Sequence, residues 1–325
     1  MARDNRIDSL KGVLIILVIL GHVITTLDNV NLINHAVMGG IYVFHMPLFI
    51  LISGYLAKSP EQQSARDMWR GVLNILITLG IFQLLGSIRI HIYGGDFATA
   101  MSRFPIGVLW YLLSLASWKV IFYYTPKPLL NRPILYLALA LIISALSGLT
   151  KLGGFMSLQR TLNFYVFFLL GYYYRQGMLN TRWWHNNVLH AAVAAVSLPV
   201  LLWFFPHCGN VMNGADHYNW SGLPEKMLIL ACSIAMSLLV FNLVRDQRWL
   251  RPIGRDSMFY FVYHSFFVDG VFGIINISYG IPCTLPFILL YTASIVAVLW
   301  GMSHIKFFRW MASPMIKPRK ARLQQ

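Results

Sequence analysis

Acidic charge is what this chain has least of: of 325 residues, 11 are Asp or Glu against 26 Lys or Arg, and only 11% are charged. Cysteine is nearly missing too, and three of them exclude a disulfide scaffold and a CxxC-type metal site. There is no Ser/Pro/Gly-rich linker, no low-complexity tract and no insert the size of a soluble domain, so a single domain over residues 1–325 is expected. A cleavable signal peptide is also not expected. The first apolar run, Val13 to Ile24, carries no small-residue cleavage pattern and opens a series of similar segments.

What fills the chain is apolar: 57% of residues are hydrophobic and the mean hydropathy is +0.61, far from soluble-domain composition. A net charge of +15 would suggest nucleic acid in a soluble protein. Here the basic residues sit in short loops between apolar runs, so they are read as orientation signals and no nucleic-acid partner is expected. Runs long enough to cross a bilayer, about 20 residues each, lie at 10–27, 36–57, 71–90, 106–124, 133–149, 161–175, 187–206, 224–244, 257–277 and 284–305. The alternation of a β-barrel is absent, which leaves helices as the spanning solution. The expected fold is all-α, a polytopic membrane protein of about ten helices in contact with membrane lipid. With the N-terminus inside, 21 basic residues fall on the cytoplasmic side and five, Arg89, Arg103, Lys151, Arg160 and Lys226, on the outer side. That bias puts both termini in the cytoplasm. Cys208 and Cys283 share the outer side, and whether they pair stays open.

Ionisable groups inside spans are costly and are functional candidates by default. Removing the loops leaves His22, His45, His264 and Asp269. At about 1.5 Å per residue, His22 lies about 16 Å beyond Lys11, His45 about 18 Å from Ala57, and His264 about 14 Å from Arg255, one common level near mid-membrane. Three unrelated core histidines would need no function; three at one depth suggest a polar chamber. Imidazole serves as a general base near neutral pH, and a lone carboxylate argues against a paired-carboxylate glycosidase. At the cytoplasmic face, Lys11 stands with Arg66 and Arg70, which share one face of a helix. They are either positive-inside anchors or holders of a phosphorylated cofactor. The four arginines between Arg245 and Arg255 are assigned to anchoring. Trp110 and Tyr111 are interfacial anchors or a stacking surface for a sugar ring, and Ser53-Gly54 is read as close helix packing. No metal site is expected.

These motifs resemble the membrane-bound acyltransferase-3 group, whose members O-acylate bacterial surface sugars. Arg6-Ile-Asp-Ser-Leu-Lys11-Gly, running on to Gly21-His22, looks like its first helix, in which a basic residue precedes a histidine by eleven positions. Phe44-His45-Met-Pro47-Leu-Phe49 through Leu56 is similar to its second helix. Leu109-Trp110-Tyr111-Leu112, Phe167 to Tyr172, and Ile253-Gly254 through His264 match later segments in order. The resemblance implies acetyl-CoA as co-substrate with no permanently bound cofactor, and His22 as catalytic base or acyl-handling residue. It also implies Lys11, Arg66 and Arg70 near the donor, and His45, Trp110, Tyr111 and His264 around the acceptor chamber. The chain departs from the group in having Lys at position 11, where Arg is commoner, and in spacing its arginines by four. The implied activity is O-acetylation of a surface polysaccharide or its lipid-linked sugar precursor, in the bacterial inner membrane. The alternative is an exporter or carrier of glycan or lipid that uses the same chamber without acyl transfer.

Overall fold

The structure is a computed structural model that describes residues 4–27, 32–179, 181–204, 214–215, 217–275, 280 and 284–315. Cys208 and Cys283 lie outside these residues, while Cys232 is a buried free thiol. Among the described residues every regular element is helical.

Helix α1, Asn5–Thr25, is capped by Asp4, whose carboxylate accepts from the backbone N–H of Arg6 at 2.9 Å and of Ile7 at 3.3 Å. It is apolar on all sides and therefore central: 72% of its most apolar stretch is buried inside the bundle, against 22% for Leu285–Met302 at the periphery. The second expected span is two helices, α2 (Leu32–Tyr42) and α3 (His45–Tyr55), broken at Val43-Phe44. Pro47 explains the break. It lacks the N–H that a continuous helix would need and is tolerated in the first turn of a new one. Helix α4 (Ala65–Ile92), the short α5 (Phe97–Ser102) and α6 (Trp110–Tyr123) follow. The expected short spans are α7 (Pro133–Leu146) and α8 (Leu158–Arg175). After them come α9 (Asn187–Phe204), α10 (Leu223–Leu243), the short α11 (Leu250–Arg255) and α12 (Ser257–Ser265). The last of these runs into a π-helical turn, Phe266–Phe272, and α13 (Leu285–Met302) and α14 (Lys306–Ala312) complete the order.

Each of the ten expected spans falls on helix, the second on two helices, α2 and α3, and the ninth on α12 with its π-helical turn. Among the described residues seven stretches are long and apolar enough to cross a membrane, and α7 and α9 are shorter apolar helices. Helix α8 is more polar because Gln159, Arg160 and Asn163 occupy its first two turns. Ile134, Val188, Val196 and Leu290 are each more than 60% exposed, a surface that suits lipid and not water.

Contacts between loops pair ends as the charge pattern requires. At the basic end, Arg6 donates to the carbonyls of Val244 at 3.0 Å and of Phe241, Arg175 to that of Tyr55 at 2.8 Å, Arg309 to Asp256 at 3.0 Å and Lys127 to Glu61 at 3.0 Å. Arg251 also donates to Asp246 there and holds its carboxyl below the usual carboxylate range. At the opposite end, Arg89 donates to the Ser265 carbonyl at 2.6 Å and Gln83 to that of Ala100 at 3.3 Å. Two crossings are backbone-close. A Cβ on Gly54 or Gly171 would run into carbonyls of the facing helix, α8 or α3, and one on Gly12 or Gly254 would do the same between α1 and α11. Small residues permit this approach, and van der Waals contact is what holds helices together in lipid. One expectation fails here. Lys226, assigned to an outer loop, stands on the first turn of α10 and is 2% exposed, because its ammonium turns inward to donate to Asn163 Oδ1.

Candidate active site

Three helix discontinuities meet inside the bundle, and each carries a histidine. His22 occupies the last turn of α1, His45 is the first residue of α3 after the break, and His264 lies in the last turn of α12 before the π-helical turn. Irregular backbone inside a membrane protein is tolerated where protein or a cavity lining satisfies it, and His45 illustrates how. Its Nδ1 donates to the Ile41 carbonyl at 2.8 Å, so its side chain spans the gap between α2 and α3. A carbonyl only accepts, so Nδ1 carries the proton and Nε2 is left with a lone pair.

The structure brings these histidines together through Tyr42. The rings of His22 and His264 are 5.2 Å apart, those of Tyr42 and His45 4.9 Å, and His22 meets Tyr42 edge-on at 6.2 Å. Gly21 makes room for the tyrosine, since a Cβ there would stand 3.0 Å from its ring. A cavity of about 50 Å³ opens beside them, lined by His22, Tyr42, His45 and Trp110 with Val18, Met46, Val108, Phe164 and Phe261. It is far smaller than a typical site for a whole ligand, roughly 300–1,000 Å³, so only the reacting ends of larger molecules fit. A second cavity of about 100 Å³, lined among others by Arg89, Ser265, Phe266 and Asp269, shares Val108 with it. Asp269 is half exposed and paired with Arg89 at 3.3 Å.

Trp110 stacks on Phe164 at 5.5 Å, and the Arg160 guanidinium lies 5.1 Å over its ring. Tyr111 points elsewhere: it is buried and its hydroxyl is bonded to Ser53 Oγ at 2.8 Å. It therefore sits inside the protein, not at the membrane interface, and outside the cavity lining. Ser53, which also donates to the Phe49 carbonyl at 2.9 Å, is occupied in packing.

Toward the N-terminal end of α1, Lys11 lies about 16 Å from His22. At about 100° per residue the eleven-residue spacing returns to nearly the same helix face. Lys11 pairs with Asp8 at 3.6 Å, and Asp8 also receives Arg255 at 3.4 Å. Arg66 and Arg70 stand on the exposed first turns of α4, with Arg70 donating to the Met315 carbonyl at 3.5 Å. Helix α4 runs 28 residues, about 42 Å, so these turns overshoot a hydrocarbon core of about 30 Å.

Sequence reasoning missed Tyr42, Asp8 and the role of Arg255. Tyr42 was legible as the polar aromatic one turn before His45, and Asp8 as the carboxylate one turn before Lys11. It also passed over His190 in the seventh span, a buried histidine bonded to the Trp184 carbonyl at 3.1 Å and away from the cavity.

A family model described as "Acyltransferase domain" matches residues 4–304. Nodulation protein NolL of Sinorhizobium fredii (strain NBRC 101917 / NGR234) is 30% identical over 211 residues, which is 60% of this chain and 56% of that one. The chain thus spans little more than half the length of that curated relative. No solved structure matches it.

Proposed function

The chain belongs to the acyltransferase family that its residues 4–304 match, and we propose that it transfers an acetyl group from acetyl-CoA to a hydroxyl of a cell-surface polysaccharide or its lipid-linked precursor, in the bacterial inner membrane. The observation that carries this reading is the meeting of His22, Tyr42, His45 and Trp110 around one small cavity. O-acylation needs a base for a weakly acidic hydroxyl and a place from which water is excluded, since water would hydrolyse the thioester.

In this proposal His22 takes the proton of the acceptor hydroxyl as its oxygen attacks the thioester carbonyl carbon. The tetrahedral intermediate collapses by breaking the carbon–sulfur bond, and the thiolate of CoA leaves and recovers a proton. The last turn of α1 presents the carbonyl ends of its peptide dipoles to the charge His22 acquires in between. Lys11, with Arg255 beside the shared Asp8, would meet the donor's phosphates at the cytoplasmic end of the same helix face. Arg66 and Arg70 would flank that end, and Trp110 would offer its ring to the acceptor sugar, with His45 in the chamber wall and His264, expected there from the sequence, outside the lining beside His22. The second cavity, toward the outer ends of α4 and α12, gives the acceptor a path to the histidines past Val108.

The test is incubation of purified protein in lipid with acetyl-labelled acetyl-CoA and native glycan. Wild type is expected to consume the thioester and label the glycan, and His22→Ala to lose at least about a hundredfold in rate while inserting normally. Full acetylation by that variant would remove His22 from the mechanism. A folded wild type that turns over no acyl-CoA would favour the carrier.

A further inference from the structure

His264 is fully buried, and its ring is oriented by two backbone carbonyls. Nδ1 faces the carbonyl of Phe261 at 2.7 Å and that of Tyr260 at 3.2 Å. Because both are acceptors, Nδ1 must carry the proton, and the neutral ring presents a lone pair at Nε2. That Nε2 is buried and has no hydrogen-bond partner among the described residues. An acceptor enclosed in protein without a donor is a cost that structures rarely carry without a use.

The polar ring that faces His264 is His22, 5.2 Å away between ring centres and tilted by 45°; its other ring neighbour is Phe261 at 5.9 Å. The 5.2 Å separation leaves room for a nitrogen-to-nitrogen hydrogen bond between the two imidazoles if the His22 ring turns about χ2, a broad torsion. His264 does not line the small cavity, whereas His22 does. His22 therefore stands between the reacting groups and the buried lone pair.

We propose that His264 is a positioning residue that sets the tautomer of His22: its Nε2 lone pair accepts the N–H of His22 and leaves the other ring nitrogen of His22, unprotonated, toward the cavity. This rests on the reading of His22 as the base. The logic is that of a base oriented by a third group. A His22 ring held only by ring contacts could carry its proton on either nitrogen, and only one of the two forms is a base on the cavity side. When His22 takes the hydroxyl proton it becomes an imidazolium, and its bond to His264 becomes charge-assisted and stronger. No atom is transferred to His264, and the proton leaves from His22 to the departing thiolate.

Two measurements test this. In steady-state acetyl-CoA turnover by protein in lipid, His264→Leu is expected to lower kcat about 10- to 100-fold, a part of what a general base supplies, with KM for acetyl-CoA unchanged. His264→Gln, whose side-chain oxygen can occupy the place of Nε2, is expected to recover much of the loss. Nitrogen-15 spectra of histidine-labelled protein should show one fixed tautomer for His22 in wild type and an exchanging mixture in His264→Leu. An inactive wild type would count against the acyltransferase reading. An active wild type with a dead His22→Ala, but with His264→Leu at full kcat or His264→Gln no better than His264→Leu, would overturn the role of His264 alone. If His264→Leu fails to fold, the wild-type spectrum decides, and a freely exchanging His22 overturns the proposal.

Discussion

Asp8 is the residue on which the N-terminal end of α1 turns. Its side chain is 6% exposed and holds Lys11 at 3.6 Å and Arg255 at 3.4 Å. A buried carboxylate is tolerable because two cations compensate it, and the partly buried Lys11 in turn depends on the carboxylate. Asp8→Asn keeps the shape and removes the charge, so it is expected to destabilise the protein by about 1–3 kcal/mol, read as a lower melting temperature in detergent. An unchanged melting temperature would mean that the three groups are not held together. Which residues were candidates was legible at this scale, because an ionisable group inside an apolar run stands out: His22, His45 and His264 need only hydropathy to be found. Their tautomers were not legible, since these depend on the groups each ring faces. Nor was the burial of Lys226, whose stem and head turn toward Asn163 on another helix.

Among the elements, the crossing of α3 and α8 shows how sequence constrains helix packing without specifying it. Ser53-Gly54 announces a close approach, but the facing carbonyl, that of Phe168, is known only from the fold. Gly54→Ala would drive a methyl group into that backbone, which cannot yield as a flexible side chain would. The expected cost is about 1–3 kcal/mol or more, checked by thermal unfolding and by the yield of folded protein in detergent; wild-type values for both would contradict the crossing. The break between α2 and α3 is a companion case. A hydropathy window reads 36–57 as one span, because hydropathy averages over Val43 and Phe44, while Pro47 and the His45 bond to Ile41 divide the rod and set His45 at a helix start. The π-helical turn after His264 left no comparable signal, since its residues are as apolar as those of the helix before it.

For the whole molecule, the alternation of basic and non-basic loops fixes which ends of the rods lie together, and the contacts agree with it. Orientation is testable in a background with Cys208, Cys232 and Cys283 replaced by serine. Ala98→Cys, before α6, is expected to react with a membrane-impermeant maleimide from outside, and Gln62→Cys, before α4, only after permeabilisation; both sites are exposed. The reverse pattern would invert the protein and place Lys11, Arg66 and Arg70 on the wrong side for the proposed cytoplasmic acyl donor. The sequence by itself determined the all-helical membrane class, the apolar stretches that become helices and the identity of the three histidines. It could do so because hydrophobic length, loop charge and the cost of burying an ionisable group act locally along the chain. Only the tertiary structure decided that His22 meets His264 and Tyr42, that Trp110 faces the cavity while Tyr111 does not, and that Asp8 gathers Lys11 and Arg255. Those outcomes depend on the rotation of each helix about its axis and on its neighbours, which are settled by packing between segments distant in sequence.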